Sequence, residues 1–216
     1  MSLLKTFGID LNHNGVIGLT SKAAQNKTSL MAYFVKELYD NGKNILIIGE
    51  EHEKVWVRRL KNLITHQGDN RLIIKNLPFT ADILDYIKKY KEIHPEFDCL
   101  ILDHPLLNKR ESYTQIIDYV KENNIMVLFS QQFGKTISDD FRVTDKLAYS
   151  DVYLGITKTN GELTFWKKLV NLIFKPFKNV VFEKPNTRIT VLKNRYVDSP
   201  LWIDYNVDFK KMNKTS

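Results

Sequence analysis

The residues with the clearest capacity for chemistry are Ser21-Lys22-Ala23-Ala24-Gln25-Asn26-Lys27-Thr28, set between a short apolar segment and a helical pattern. A loop leading from a strand into a helix turns backbone amides toward an anion, and a lysine in the first helical turn adds a full positive charge. Lys27 has that position, and the Thr28 hydroxyl follows it as a ligand for Mg2+. The segment departs from the phosphate-loop pattern G-x-x-x-x-G-K-[ST] at both glycines, where Ser21 and Asn26 stand. Ser21 is small, and asparagine is the non-glycine residue that most readily turns left-handed, so Asn26 can serve there. An ordinary helix start with a surface lysine would carry the same Lys-Thr pair, so the loop alone does not define a phosphate site.

Two acidic features give it company. Cys99-Leu100-Ile101-Leu102 is an apolar run that ends in Asp103. A carboxylate at the end of a buried strand faces the crevice where open α/β sheets bind ligands, and there it can hold Mg2+ opposite Thr28. The alternative is a strand-terminal aspartate that caps the next loop. Glu50 and Glu51 follow Ile45–Gly49, the next apolar run after the loop helix. A glutamate at a strand tip beyond the terminal phosphate can orient an attacking water. The competing reading is a solvated first turn of the following helix, which glutamate also favours.

These groups need a scaffold, and the rest of the chain reads as one. Short apolar runs at Val16–Leu19, Ile45–Ile48, Leu72–Ile74, Phe97–Leu102 and Ile125–Phe129 predict strands buried on both faces. Helical patterns alternate with them at Lys27–Asp40, Glu53–Thr65, Ala81–Ile93 (with Thr80 as its N-cap) and Ser112–Asn123. Asn41-Gly42 ends the first of these helices. Strictly alternating strands and helices imply a mainly parallel, twisted sheet between helix layers. Beyond Asp151 the rhythm changes to shorter strands at Val152–Thr157, Asn179–Glu183, Arg188–Lys193 and Leu201–Tyr205, which suit antiparallel pairing at one sheet edge. The 216 residues, 43% hydrophobic with 9 Gly and 6 Pro, suit one domain over 1–216 with a core at about 15–209.

Composition excludes several classes. With Cys99 as its single cysteine the chain can form neither an internal disulfide nor a cysteine-based zinc site; Cys99 reads as a small core residue. His13, His52, His66, His94 and His104 lack metal-site spacing. No stretch is long and apolar enough to span a bilayer, and the N-terminus lacks a signal-peptide layout, so a cytoplasmic protein is expected. The 32 Lys+Arg against 25 Asp+Glu leave a net charge of +7, which attracts polyanions but is also common in proteins that bind none.

Taken together, the motifs resemble the RecA-like ATPase domain of DnaB-type replicative helicases, with KaiC-like ATPases as cousins. Ser21–Thr28 looks like a divergent copy of a loop reading A-R-P-x-x-G-K-T. Ile47-Ile48-Gly49-Glu50-Glu51 is similar to the helicase strand ending in S-L-E and to the Glu-Glu pair of KaiC-like proteins. Arg58-Arg59-Leu60 falls where helicases carry an Arg-Leu pair. Leu100–Leu106 resembles V-I-D-Y-L-Q-L, with His104 and Leu106 replacing Tyr and Gln. Val127-Leu128-Phe129-Ser130-Gln131 looks like the strand whose glutamine senses the γ-phosphate, which matches Gln131 rather than Gln132. Ile189–Arg195 is close to a strand ending in K-x-R, whose basic pair reaches a neighbouring subunit's γ-phosphate; Lys193 and Arg195 match it.

The resemblance implies a RecA-like fold, ATP and Mg2+ as ligands, and a homo-oligomeric ring or filament acting on single-stranded DNA or RNA in replication or recombination, with replication proteins as partners. Glu51 is favoured over Glu50 as the catalytic glutamate. The loops after the Asp103 and Gln131 strands would line a nucleic-acid channel and offer Lys109, Arg110 and Lys135 to phosphates. The short stretch before Val16 leaves no room for the helicases' N-terminal helical domain, which points to a stripped-down, phage-type version or an accessory ATPase. The altered loop leaves two alternatives: a RecA-like scaffold or helicase loader without turnover, and a KaiC-like regulatory ATPase. The basic, aromatic segment Trp166–Lys178 reads best as a helix or hairpin packed on the domain or on a neighbouring subunit, ahead of base stacking or membrane contact.

Overall fold

The computed structural model describes residues 2–11, 15–21, 26–49, 52–64, 70–77, 81–103, 110–132, 149–158, 186–196 and 202–205. Within them lie five helices, α1 (Leu3–Thr6), α2 (Lys27–Asp40), α3 (Glu53–Lys61), α4 (Ile83–Ile93) and α5 (Arg110–Glu122), and eight strands. The strands are β1 (Val16–Ser21), β2 (Ile45–Gly49), β3 (Leu72–Asn76), β4 (Cys99–Asp103), β5 (Met126–Gln132), β6 (Val152–Lys158), β7 (Thr187–Asn194) and β8 (Trp202–Tyr205). They form one sheet in the order β3-β2-β4-β5-β1-β6-β7-β8. Pairing is parallel from β3 through β6, then antiparallel from β6 to β7 and from β7 to β8. The expected α/β architecture, a mainly parallel sheet with antiparallel strands at its C-terminal side, is therefore what the chain forms.

Side chains alternate along a strand, and the two core clusters follow that alternation. Ile17, Leu19, Ile45, Ile47, Cys99, Ile101, Met126 and Leu128 pack with α1, α2 and α3. Val16, Leu46, Ile48, Leu100, Leu102, Val127, Phe129 and Tyr153 pack with α4 and α5. Helix α2 brings Leu30, Met31, Phe34, Val35 and Leu38, all fully buried, to the first cluster. Each such side chain contributes about 1.5–3 kcal/mol over its exposed state, so tertiary burial rather than helix propensity holds α2 in place. It ends at Asn41-Gly42 as expected, with Gly42 in the left-handed region at φ 84° and the Lys43 N–H bonded to the Leu38 carbonyl.

Several boundaries differ from the sequence expectation for local reasons. Helix α3 stops at Lys61 rather than Thr65, because Leu63 and Ile64 turn inward and are buried at 3% exposure each. Helix α4 is capped by Asp82, whose carboxylate accepts the Asp85 N–H at 3.0 Å, and not by Thr80, which lies outside the described residues. Strand β4 begins at Cys99 because the Asp98 carboxylate is engaged at the strand entrance, accepting from Asn44 N–H at 2.9 Å and from Lys43 Nζ at 3.0 Å. Helix α1 was not expected; the Glu37 carboxylate of α2 accepts from the Ser2 hydroxyl and from the Leu3 and Leu4 amides, which fixes it. The strand expected at Asn179–Glu183 and the Trp166–Lys178 segment lie outside the described residues. Among the described residues no helix is long and apolar enough to cross a membrane.

Gly18 marks the tightest point of the sheet's α4/α5 face. A β-carbon there would stand 2.3 Å from Tyr153 Cδ2 and 2.7 Å from Phe129 Cζ, on two fully buried rings. Gly18→Ala is predicted to lower stability by about 1–3 kcal/mol through overpacking, read as a lower urea midpoint. An unchanged midpoint would show that the two rings can give way.

Candidate phosphate-binding edge of the sheet

The central strands are apolar until their carboxyl ends and polar there: Thr20-Ser21 on β1, Asp103 on β4 and Ser130-Gln131-Gln132 on β5. Parallel pairing sets these ends side by side, since Gly49 is in register with Asp103 and Thr20 with Gln131. Asp103 is only 2% exposed, and the Ser130 hydroxyl donates to its Oδ1 at 2.7 Å. Alternation puts Ser21, Gly49, Asp103 and Ser130 on the face that carries α2 and α3. Ser130, to which the sequence reading gave no role of its own, thus orients the predicted metal-binding carboxylate. Asp103 and Thr28 are not part of any group of three or more His, Cys, Asp or Glu side chains among the described residues that could cage a metal. A cation held there would take its remaining oxygens from substrate and water, which suits Mg2+.

The start of α2 is built differently from those of α1, α3 and α4. Ser2, His52 and Asp82 each cap their helix with a side-chain hydrogen bond, and Glu53 and Asp85 place acids in the first turns of α3 and α4. At α2 there is no side-chain cap and no acid in the first turn. Asn26 instead adopts φ 67°, ψ 13°, the left-handed conformation that its position in the loop pattern requires, and Lys27 opens the helix. A left-handed residue leading into helical ones makes consecutive N–H groups converge in an anion-binding nest. Lys27 is 8% exposed, an unusual depth for a lysine placed against the positive end of a helix dipole. The Asn26 side chain donates instead to Thr187 Oγ1 at 3.2 Å, and Thr187, fully buried, in turn bonds Asn186. That tether joins the helix start to the first residue of β7 across 161 residues of sequence, so no local pattern could have revealed it.

Between β2 and β4 the crevice is narrow. A β-carbon at Gly49 would lie 3.3 Å from Asp103 Cβ and 3.5 Å from the Trp56 indole nitrogen, so a side chain there would be tightly packed beside the acid. Trp56 is fully buried, and its Nε1–H has no hydrogen-bond partner among the described residues.

Other predicted residues do not converge on this point. Gln131 lies beside Thr20, and alternation turns both toward the α4/α5 face, away from Asp103 and Ser130. Gln131 Oε1 and Thr20 Oγ1 are both buried without a partner among the described residues. Lys193 and Arg195 stand at the opposite, amino edge of the parallel strands: Lys193 pairs with Tyr153 and Asn194 with Val152 at the start of β6. A strand of this length separates the two edges by roughly 17 Å. Arg195 Nη1 contacts Asp151 Oδ1 at 3.3 Å, while Asp151 Oδ2 accepts the Val16 N–H at 2.9 Å. Burial, then Arg195, lowers the Lys193 pKa, with Asp151 opposing them. Lys22, Ala23, Ala24, Gln25, Glu50, Glu51, Lys109 and Lys135 lie outside the described residues, and of Arg110 only its place at the start of α5 is described.

No known protein-family profile and no curated protein sequence matches this chain.

Asn26 allows a direct measurement of how the helix start is held. Asn26→Ala is predicted to cost about 2 kcal/mol, combining left-handed strain with the lost Thr187 bond, whereas Asn26→Gly removes the bond alone at about 1 kcal/mol. Equal unfolding free energies for the two variants would contradict this account of the position.

Proposed function

We propose that the chain is a RecA-like ATPase domain that binds ATP with Mg2+ along the carboxyl edge of its sheet and works as a homo-oligomer on single-stranded nucleic acid. The observation that carries this reading is the start of α2. It has a left-handed Asn26, no capping side chain and no acid in its first turn, and it opens on Lys27. Uncapped helix amides beside a lysine suit an anionic ligand. The neighbouring Asp103 fits that ligand: it is buried and oriented by Ser130.

In this reading the amides at the start of α2 and the Lys27 ammonium hold the β- and γ-phosphate oxygens. Thr28 and Asp103 hold the cation, and Glu51 or Glu50, directly after β2, orients the attacking water. Bound Mg2+ would supply charge neutralisation across the phosphates. Gln131, on the other face of the sheet beside Thr20, would report the state of the site to the α4/α5 layer. Lys193 and Arg195 are about a strand's length from this edge, so any phosphate they contact belongs to another copy of the chain. That placement favours an assembly in which one copy's amino edge faces its neighbour's carboxyl edge. Nucleic-acid contact through Lys109, Arg110 and Lys135 rests on the net charge of +7 and on the resemblance.

A second reading, a nucleotide-binding scaffold or helicase loader without turnover, is favoured by one observation: both glycines of the loop pattern are replaced, by Ser21 and Asn26. Steady-state ATP hydrolysis by the purified chain, with and without single-stranded DNA, separates the readings. A DNA-stimulated rate that Lys27→Ala reduces at least about 100-fold is expected, the scale of losing a charged transition-state contact. Unchanged hydrolysis in Lys27→Ala would sink the site assignment. Nucleotide binding without turnover would select the scaffold, and turnover indifferent to DNA a KaiC-like regulatory ATPase.

A further inference from the structure

We propose that the outer face of α3 holds the phosphate backbone of a single-stranded nucleic acid through Lys54, Arg58 and Lys61. The inference rests on the reading of the chain as acting on single-stranded nucleic acid, and it needs no bound nucleotide. Helix α3 buries Trp56 and Leu60 in the core, and Lys54, Val57, Arg58 and Lys61 are exposed on its other side. At 3.6 residues per turn these four fall within an arc of about 100°, so they form one strip along the helix. Glu53, the single acid of α3, falls outside that arc.

The strip is not explained by what it does for the helix. In α2 Lys36 is answered by Asp40, and in α4 Lys89 by Asp85, each four residues apart. In α3 Lys54 and Arg58 are four apart and Arg58 and Lys61 three, spacings at which like charges repel and weaken a helix. Cations in the last turn suit the helix dipole, but Lys54 stands in the first turn, where the dipole opposes it. Val57, at the centre of the strip, is 48% exposed and is one of two large apolar side chains so exposed among the described residues. Cations around an apolar side chain match a strand that alternates phosphates with sugars and bases. Lys54 and Arg58 are about 6 Å apart along the helix axis and Arg58 and Lys61 about 4.5 Å, so long side chains can each meet one of three successive phosphates. An interfacial membrane helix needs its apolar face, and that of α3 is spent on the core. The strip is also separate from Arg110, since α5 covers the opposite face of the sheet.

The test is fluorescence anisotropy of a labelled oligodeoxythymidine with the full chain over a KCl series. Each phosphate contact contributes roughly 0.7 to the slope of log affinity against log salt for a single strand. Lys54→Gln/Arg58→Gln/Lys61→Gln is expected to make that slope shallower by about 2. Lys36→Gln/Lys88→Gln/Lys89→Gln removes the same charge from α2 and α4 and is expected to leave the slope within about 0.7 of the wild-type value. Equal changes in the two variants would reduce the effect to net charge and overturn the assignment, as would an unchanged slope in the α3 variant. Loss of sedimentation with phosphatidylserine vesicles in the α3 variant, with oligonucleotide binding intact, would make the strip a membrane contact instead. A wild-type chain that binds no oligonucleotide would overturn this inference and the nucleic-acid reading together, leaving the nucleotide site in place. Should the triple variant not fold, Lys54→Gln and Arg58→Gln are each expected to lose about 0.7 of slope, and two unchanged slopes would be equally fatal.

Discussion

A sheet covered by helices on both faces leaves almost no room for polar groups along its strands. In β1, β2, β4 and β5 every residue up to the last few is apolar and buried, because each face of each strand meets a packed layer. Hydrogen-bonding side chains can enter only where the covering helices turn away, at the strand ends. Parallel pairing then puts all carboxyl ends on one edge, where alternation sends Ser21, Asp103 and Ser130 to one face and Thr20 and Gln131 to the other. The candidate site follows from burial, and its membership is set by register.

The two edges of the sheet treat their polar groups differently. At the amino edge the acids are used up in structure. Glu37 holds the start of α1, Asp98 ties the entrance of β4 to that of β2, and Asp151 ties β1 to the end of β7. At the carboxyl edge three buried polar atoms, Thr20 Oγ1, Trp56 Nε1 and Gln131 Oε1, lack partners among the described residues. Asn26 there is one of two non-glycine residues with a positive φ among the described residues, the other being Asn124. Unmet hydrogen-bonding groups of this kind gather where the covering helices turn away from the strands.

Asn26 shows how the scaffold supports that cost. Its left-handed backbone is disfavoured for any side chain, and asparagine least of all apart from glycine. The Thr187 hydroxyl, anchored at the start of β7, fixes the amide and so holds the helix start at the edge of the sheet. The antiparallel strands β7 and β8 therefore do more than widen the sheet: one end of β7 braces α2, and the other displays Lys193 and Arg195 at the amino edge. A single strand thus links the two edges of the sheet.

The alternation of strands and helices, the change of rhythm after Asp151, and the positions of Asn26, Lys27 and Asp103 at element ends are all legible along the chain. Those are local matters, governed by hydrophobic period, turn chemistry and the conformational latitude of asparagine. Pairing order, register and facing are long-range, and only tertiary structure decided them. Gln131 was singled out by its likeness to a strand ending in Ser-Gln, and which face it takes is a matter of register: one step along a strand reverses the face, so Ser130 meets Asp103 while Gln131 lies with Thr20. The Ser130–Asp103 hydrogen bond likewise depended on β4 and β5 lying side by side, a pairing that no local pattern of either strand announces. Residue types and their intervals are written along the chain, whereas which side chains share a crevice depends on contacts closed over tens to hundreds of residues, which no local pattern encodes.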